Sequence, residues 1–151
     1  MTVFVRNEQR RFKINRPLLC ELTHQALRLI GAADDTTIGI ILLNDRQIAE
    51  FNERFHHTPG PTDILTFHFP ELAGGELTIS VERASAQARR FRSTPSRELA
   101  LYVIHGLLHL HGYDDRAPRQ RARMRAAERR LLARLSASVD LRPLVQASRP
   151  H

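Results

Sequence analysis

The chain has 151 residues, with 23 Lys or Arg against 16 Asp or Glu, a formal charge of +7 and 42% apolar residues. That length suits a single domain able to bury a core without staples, and a lone cysteine, Cys20, excludes an internal disulfide and suits a reducing compartment. The start carries Arg6, Arg10 and Arg11 without a long apolar run, and no stretch reads as a membrane span, so the expectation is a cytoplasmic protein.

In chain order, Thr2 to Arg6 alternates apolar and polar residues as a short strand does. Pro17 to Ile30 puts Leu18, Leu19, Leu22, Ala26 and Leu29 on one helical face. Thr37 to Leu43 is short, apolar and rich in β-branched residues, which predicts a buried strand. Asn44 and Asp45 then cap a helix through about Phe55, with Ile48, Phe51 and Phe55 inward, and His56 to Gly60 reads as a loop. Asp63 to His68 and Glu76 to Ser80 read as strands separated by a Gly74-Gly75 turn. Glu82 to Phe91 is a polar amphipathic helix. Thr94 and Pro95 open the next helix, and Pro118 to Leu135 is a last helix burying Met124, Ala127, Leu131 and Leu135. The expectation is one α+β domain over residues 1–137, a mixed sheet of about four strands with helices packed on it, and a loose tail over residues 138–151.

Charge is unevenly placed. Residues 116–151 hold ten arginines against Glu128 and Asp140, a net +8, which leaves −1 for residues 1–115. Such a stripe points to a polyanionic partner, nucleic acid ahead of an anionic membrane, although only Lys13 among the basic residues is lysine and a solvated arginine-biased helix face explains part of the excess.

The run His105-Gly106-Leu107-Leu108-His109-Leu110-His111-Gly112-Tyr113-Asp114-Asp115 carries the chemistry. At 3.6 residues per turn, His105 and His109 differ by only about 40° around a helix, so both rings can face one ion while His111 points elsewhere. Gly112 supplies a helix stop, since glycine adopts the left-handed conformation without a Cβ clash. Asp115 then reaches the ion from the loop, with Asp114 as its nearest rival. Three protein ligands leave a fourth position open, the arrangement of a catalytic site. The helix is apolar almost all round, through Leu99, Tyr102, Val103, Leu107, Leu108 and Leu110, which predicts a buried central helix with the metal site at its end.

This run resembles the HGxLHLxGYDH signature of the YbeY family of zinc-dependent endoribonucleases. Pro61-Thr62-Asp63-Ile64-Leu65-Thr66-Phe67 resembles that family's PTDVLSF segment, and Gly75 to Ser80 is similar to its GDIxIS strand. Met124 and Glu128 fall where the family has a Met and a Glu on its closing helix. The resemblance covers about residues 37–132. It implies catalysis through one zinc ion per chain held by His105, His109 and Asp115, with Asp114 as a base or outer partner and His56, Arg54 and Thr62 as substrate contacts. It further implies a single-strand-specific endoribonuclease in 16S rRNA 3′-end maturation and ribosome quality control, with ribosomal RNA and small-subunit proteins as partners and neither membrane nor DNA.

Two departures matter. The signature ends in histidine where this chain has Asp115, an ordinary zinc ligand whose charge makes the metal a weaker Lewis acid. His56 stands where many members carry a phosphate-contacting arginine, and an imidazole of pKa about 6.5 is only partly charged at neutral pH. Two other classes fit parts of the pattern: a metal-dependent hydrolase of a peptide or amide, and a non-enzymatic ribosome assembly factor with a structural zinc.

Overall fold

The computed structural model describes residues 1–56, 64–69, 71 and 73–147, with the backbone alone for Phe55 and His56. The elements run β1 (Thr2–Asn7), β2 (Phe12–Ile14), α1 (Arg16–Ile30), β3 (Thr37–Leu43), α2 (Asp45–His56), β4 (Ile64–Phe69), β5 (Gly74–Ser80), α3 (Val81–Arg90), α4 (Pro95–Leu110), α5 (Pro118–Ser138) and β6 (Val145–Ala147). His56 thus closes α2 instead of opening a loop, and the following residues 57–63, Thr62 among them, lie outside the described residues.

Capping chemistry sets most helix starts. The Asn15 side chain accepts from Leu18 N–H, Ser80 from Arg83 N–H and Thr94 from Arg97 N–H. Asn44 and Gln47 exchange side-chain and backbone hydrogen bonds of 2.8 and 2.9 Å, which satisfies two donors that a helix start leaves orphaned.

The main sheet has the order β1-β3-β5-β4, with β1, β3 and β5 parallel and β4 antiparallel. Strand alternation gives it two unlike faces. Ile38, Ile40, Leu42, Leu77 and Ile79, all fully buried, face α1, α4 and α5 in the main core. On the other face, among the described residues, Ile41, Leu43, Leu65 and Phe67 pack beneath Ile48 and Phe51 of α2.

The Gly74-Gly75 pair is not the turn between strands. Both residues belong to β5, opposite Phe69 and His68, and a Cβ on either would run into the backbone carbonyl of Thr37 or Phe67. Glycine serves close backbone approach here, a use that its turn preference conceals.

The segment expected as a loose tail is docked as far as residue 147. Leu144 is fully buried, Val139, Leu141 and Val145 are nearly so, and β6 pairs antiparallel with β2 in a small second sheet. Ser96, at the start of α4, accepts from Val145 N–H at 2.9 Å and donates to the Arg142 carbonyl at 3.0 Å, so the C-terminal segment satisfies polar groups beside the central helix. No described helix is long and apolar enough to cross a membrane.

Candidate metal centre

The central helix is held before its site is. Leu99, Val103, Ile104 and Leu107 of α4 are fully buried, and a Cβ at Gly106 would lie 2.6 Å from Leu77 Cδ2 and 2.8 Å from Ile64 Cδ1. The helix backbone therefore lies flush on β5 and β4, which fixes the height and rotation of the residues on either side.

On that helix the His105 and His109 rings stand 5.5 Å apart and nearly perpendicular. The helix ends as its glycine predicts: Gly112 has φ +95°, and Tyr113 N–H donates to the Leu108 carbonyl at 3.1 Å, turning the chain back. His111 points away and donates from Nδ1 to the Leu107 carbonyl at 2.7 Å. The turn brings Asp115 across the helix end, with one carboxylate oxygen 3.7 Å from His105 Nε2 and the other 3.7 Å from His109 Nε2.

Those two distances are too long for hydrogen bonds. They fit ligands on one ion, because donors about 2.1 Å from a tetrahedral zinc lie roughly 3.4 Å from one another. All three donor atoms lie within 4.8 Å of one another, which makes His105, His109 and Asp115 a set able to hold a metal ion. His109 and Asp115 keep 36% and 42% of their side chains exposed, so the side facing away from the protein is open.

A fourth residue completes the geometry. Glu128 of α5, with only 14% of its side chain exposed, accepts from His105 Nδ1 at 2.5 Å. That bond puts the ring proton on Nδ1 and turns the Nε2 lone pair toward Asp115, the carboxylate–histidine arrangement that orients metal ligands. Spacing along α4 contains no trace of it, since Glu128 lies 23 positions from His105; its match to the family's closing-helix glutamate was the available signal. Arg121 of α5 braces the same loop by donating to the carbonyls of Asp115 and Arg116 at 3.3 and 3.1 Å.

Asp114 does different work from its neighbour. Its Oδ1 accepts from the backbone N–H groups of Asp115 and Arg116, and its Oδ2 from the Arg116 side chain at 2.9 Å. The Arg116 guanidinium, helped by those backbone donors, holds the Asp114 carboxyl down to about 2. A carboxylate so well satisfied is a weak proton acceptor at neutral pH and an effective anchor for the turn that carries Asp115.

Of the other expected site residues only Arg54 has a described side chain, and it is not part of this cluster. Arg54 lies on α2, on the opposite face of the sheet from α4, beside a depression of about 570 Å³ with Gln47, Glu50, Phe51 and Glu53. His56 is described only as the last backbone position of α2, and Thr62 lies outside the described residues.

A profile of the family described as Endoribonuclease YbeY matches residues 4–136. The chain belongs to the YbeY family. It is 36% identical over 132 residues to Endoribonuclease YbeY of Heliobacterium modesticaldum, covering 76% of this chain and 80% of that one. It is 32% identical over 149 residues to the Endoribonuclease YbeY of Pelotomaculum thermopropionicum, covering 90% of this chain and 98% of the relative. Among solved structures, the solution structure of TM1509 from Thermotoga maritima superposes with a TM-score of 0.67 at 26% identity, over 90% of both chains. The α+β architecture expected from the sequence is thus a YbeY-type fold, and within it the cluster of His105, His109 and Asp115 sits at the exposed end of the central helix.

Proposed function

We propose that this YbeY-family protein is a zinc-dependent endoribonuclease that cuts single-stranded RNA in the cytoplasm, in 16S rRNA 3′-end maturation and ribosome quality control. The observation that carries this reading is the Asp115 carboxylate, 3.7 Å from each of two histidine nitrogens, with an open side facing solvent. Bound there, one zinc ion per chain supplies Lewis-acid polarisation of a phosphoryl oxygen and a water of lowered pKa.

The chain's own residues supply the rest. His105, His109 and Asp115 hold the ion, and Glu128 keeps His105 in the tautomer that presents Nε2. Asp114 positions Asp115 through the turn, its carboxylate accepting from the Asp115 and Arg116 backbone N–H groups and from the Arg116 side chain. Arg54, His56 and Thr62 remain the proposed substrate contacts, and the arginines of α5 hold the RNA backbone. Partners on this reading are ribosomal RNA and small-subunit proteins, with no DNA and no membrane.

The peptidase alternative lacks its base. Zinc peptidases of the HExxH type use a glutamate where this chain has Gly106, and any side chain at that position starts within 3 Å of Leu77 and Ile64. A purely structural zinc is disfavoured by the three protein ligands and open fourth side found among the described residues, since structural sites are closed by four.

Metal analysis of the purified protein together with RNA cleavage by wild type and Asp115→Ala tests the reading. Wild type is expected to carry one zinc and cut single-stranded RNA while leaving a peptide library intact, and Asp115→Ala to lose both metal and cleavage. Full occupancy and activity in Asp115→Ala would remove Asp115 from the ligand set, and peptide cleavage without RNA cleavage would overturn the substrate assignment.

A further inference from the structure

Three surface depressions share Tyr113. One contains His109 and Asp115, a second contains Arg123 and Gln120, and a third is a groove of about 220 Å³ between α1, α4 and α5. The groove has a floor of Leu29, Ile30, Leu108 and Leu131 and a rim formed by Arg130 and Arg134. Leu108 and Leu131 are buried, but Leu29 and Ile30 are only partly so, which leaves that part of the floor as apolar surface open to water.

Along α5 the cations are ordered. Arg123, Arg130 and Arg134 fall within about 40° of one another around the helix and span about 16 Å of its length. All three are exposed, and among the described residues none has an acidic partner. Arg123 lies over the Tyr113 ring, 5.4 Å from its centroid, which joins the row to the loop that carries Asp115.

A row of unpaired guanidiniums beside an apolar floor suits a ligand with repeated anions and flat apolar faces. Single-stranded nucleic acid has both. An acidic peptide offers the charges without the faces. We infer that Arg123, Arg130 and Arg134, with the groove beside them, form a binding track for RNA nucleotides flanking the cut phosphate. The strand leaves the metal residues past Tyr113, sets phosphates on the arginines and lays a base on Leu29, Ile30 and Leu131. This track rests on the endoribonuclease reading and extends it to a substrate path on the α5 side, away from Arg54 and α2.

The test compares Arg130→Gln/Arg134→Gln with Arg89→Gln/Arg90→Gln, an equal loss of charge on α3. Two readouts are used: fluorescence anisotropy of a labelled single-stranded oligoribonucleotide on chelator-treated protein, and kcat and KM of the zinc-loaded protein on that oligomer and on a trinucleotide. The α5 pair is expected to weaken binding roughly tenfold and to make the slope of log affinity against log salt shallower by about 1.4, two contacts at 0.7 each. KM for the oligomer rises in parallel and by a larger factor than KM for the trinucleotide, and the α3 pair stays near wild type. Ile30→Gln, which wets the floor without touching a cation, is expected to weaken binding at constant salt slope, with thermal melts verifying that each variant folds. Equal losses in the α3 and α5 pairs would reduce the effect to net charge and overturn the track, as would no loss in either or equal competition by polyglutamate. Wild type that neither binds nor cuts RNA would instead sink the endoribonuclease reading itself.

Discussion

The two faces of the main sheet differ in how completely they are covered. On the α4 face every inward residue of β3 and β5 meets a helix, and Gly106 allows no gap between helix and sheet. On the α2 face, Phe4 is 52% and Phe69 37% exposed, Thr78 Oγ1 is buried without a hydrogen-bond partner among the described residues, and burial raises the Glu76 carboxyl despite nearby Arg6. The metal cluster stands on the dense face. Ligands that must meet one ion to within a fraction of an ångström need rigid supports, and dense packing provides them. The looser face carries α2 and Arg54, which is proposed as a substrate contact, a role that tolerates more play.

The sharpest way to break this comparison is a matched pair of truncations. Leu107→Ala, in the dense core, is expected to cost about 2–5 kcal/mol by urea denaturation. Phe51→Ala removes a larger side chain from the α2 face, where its ring meets Phe67 edge-on at 5.6 Å, and is expected to cost less than about 2 kcal/mol because water already reaches it. Equal losses would mean that the two faces are equally consolidated.

Next in size, Glu128→Gln keeps the shape of the contact to His105 and removes its charge. Zinc affinity measured by competition with a chelator is expected to fall 10- to 100-fold, with the urea midpoint of the metal-free protein nearly unchanged. An unchanged zinc affinity would leave Glu128 as packing alone.

The smallest effect belongs to the α2 side. Glu82 is held below the usual carboxylate range first by the Asp45 backbone N–H and then, against a burial penalty, by Arg11. A depressed folded value contributes stability above the unfolded value of about 4.5 and loses it as pH falls through the folded value. Glu82→Gln is therefore expected to cost less than about 1 kcal/mol at pH 7, a deficit that shrinks below pH 4.5. A deficit constant from pH 7 to pH 3 would show that ionisation is not what Glu82 contributes.

Legibility in the sequence followed the range of the interaction. The caps at Asn44 and Thr94, the stop at Gly112 and the inward stripe of α5 are local patterns, and the structure carries each where it was expected. Glycine misled at Gly74 and Gly75 because a turn and a close strand approach use the same residue. The C-terminal segment looked aperiodic because β6 is only three residues long and its partner β2 lies more than a hundred residues away. Short strands leave little periodicity to read, and their stability comes from what they pair with.

By itself the sequence determined that two imidazoles share one face of a buried helix, that the helix stops just beyond them, and that a carboxylate follows within reach. Helical period and backbone sterics act over a few residues, so they are written locally. Only the tertiary structure decided that Asp115 lies midway between both rings, that Asp114 turns back to hold the loop, and that Glu128 fixes the tautomer of His105. The Asp114 contacts run to Asp115 and Arg116, whereas the bond from His105 to Glu128 depends on α5 packing against α4, an encounter between distant segments set by core packing and not by any local preference.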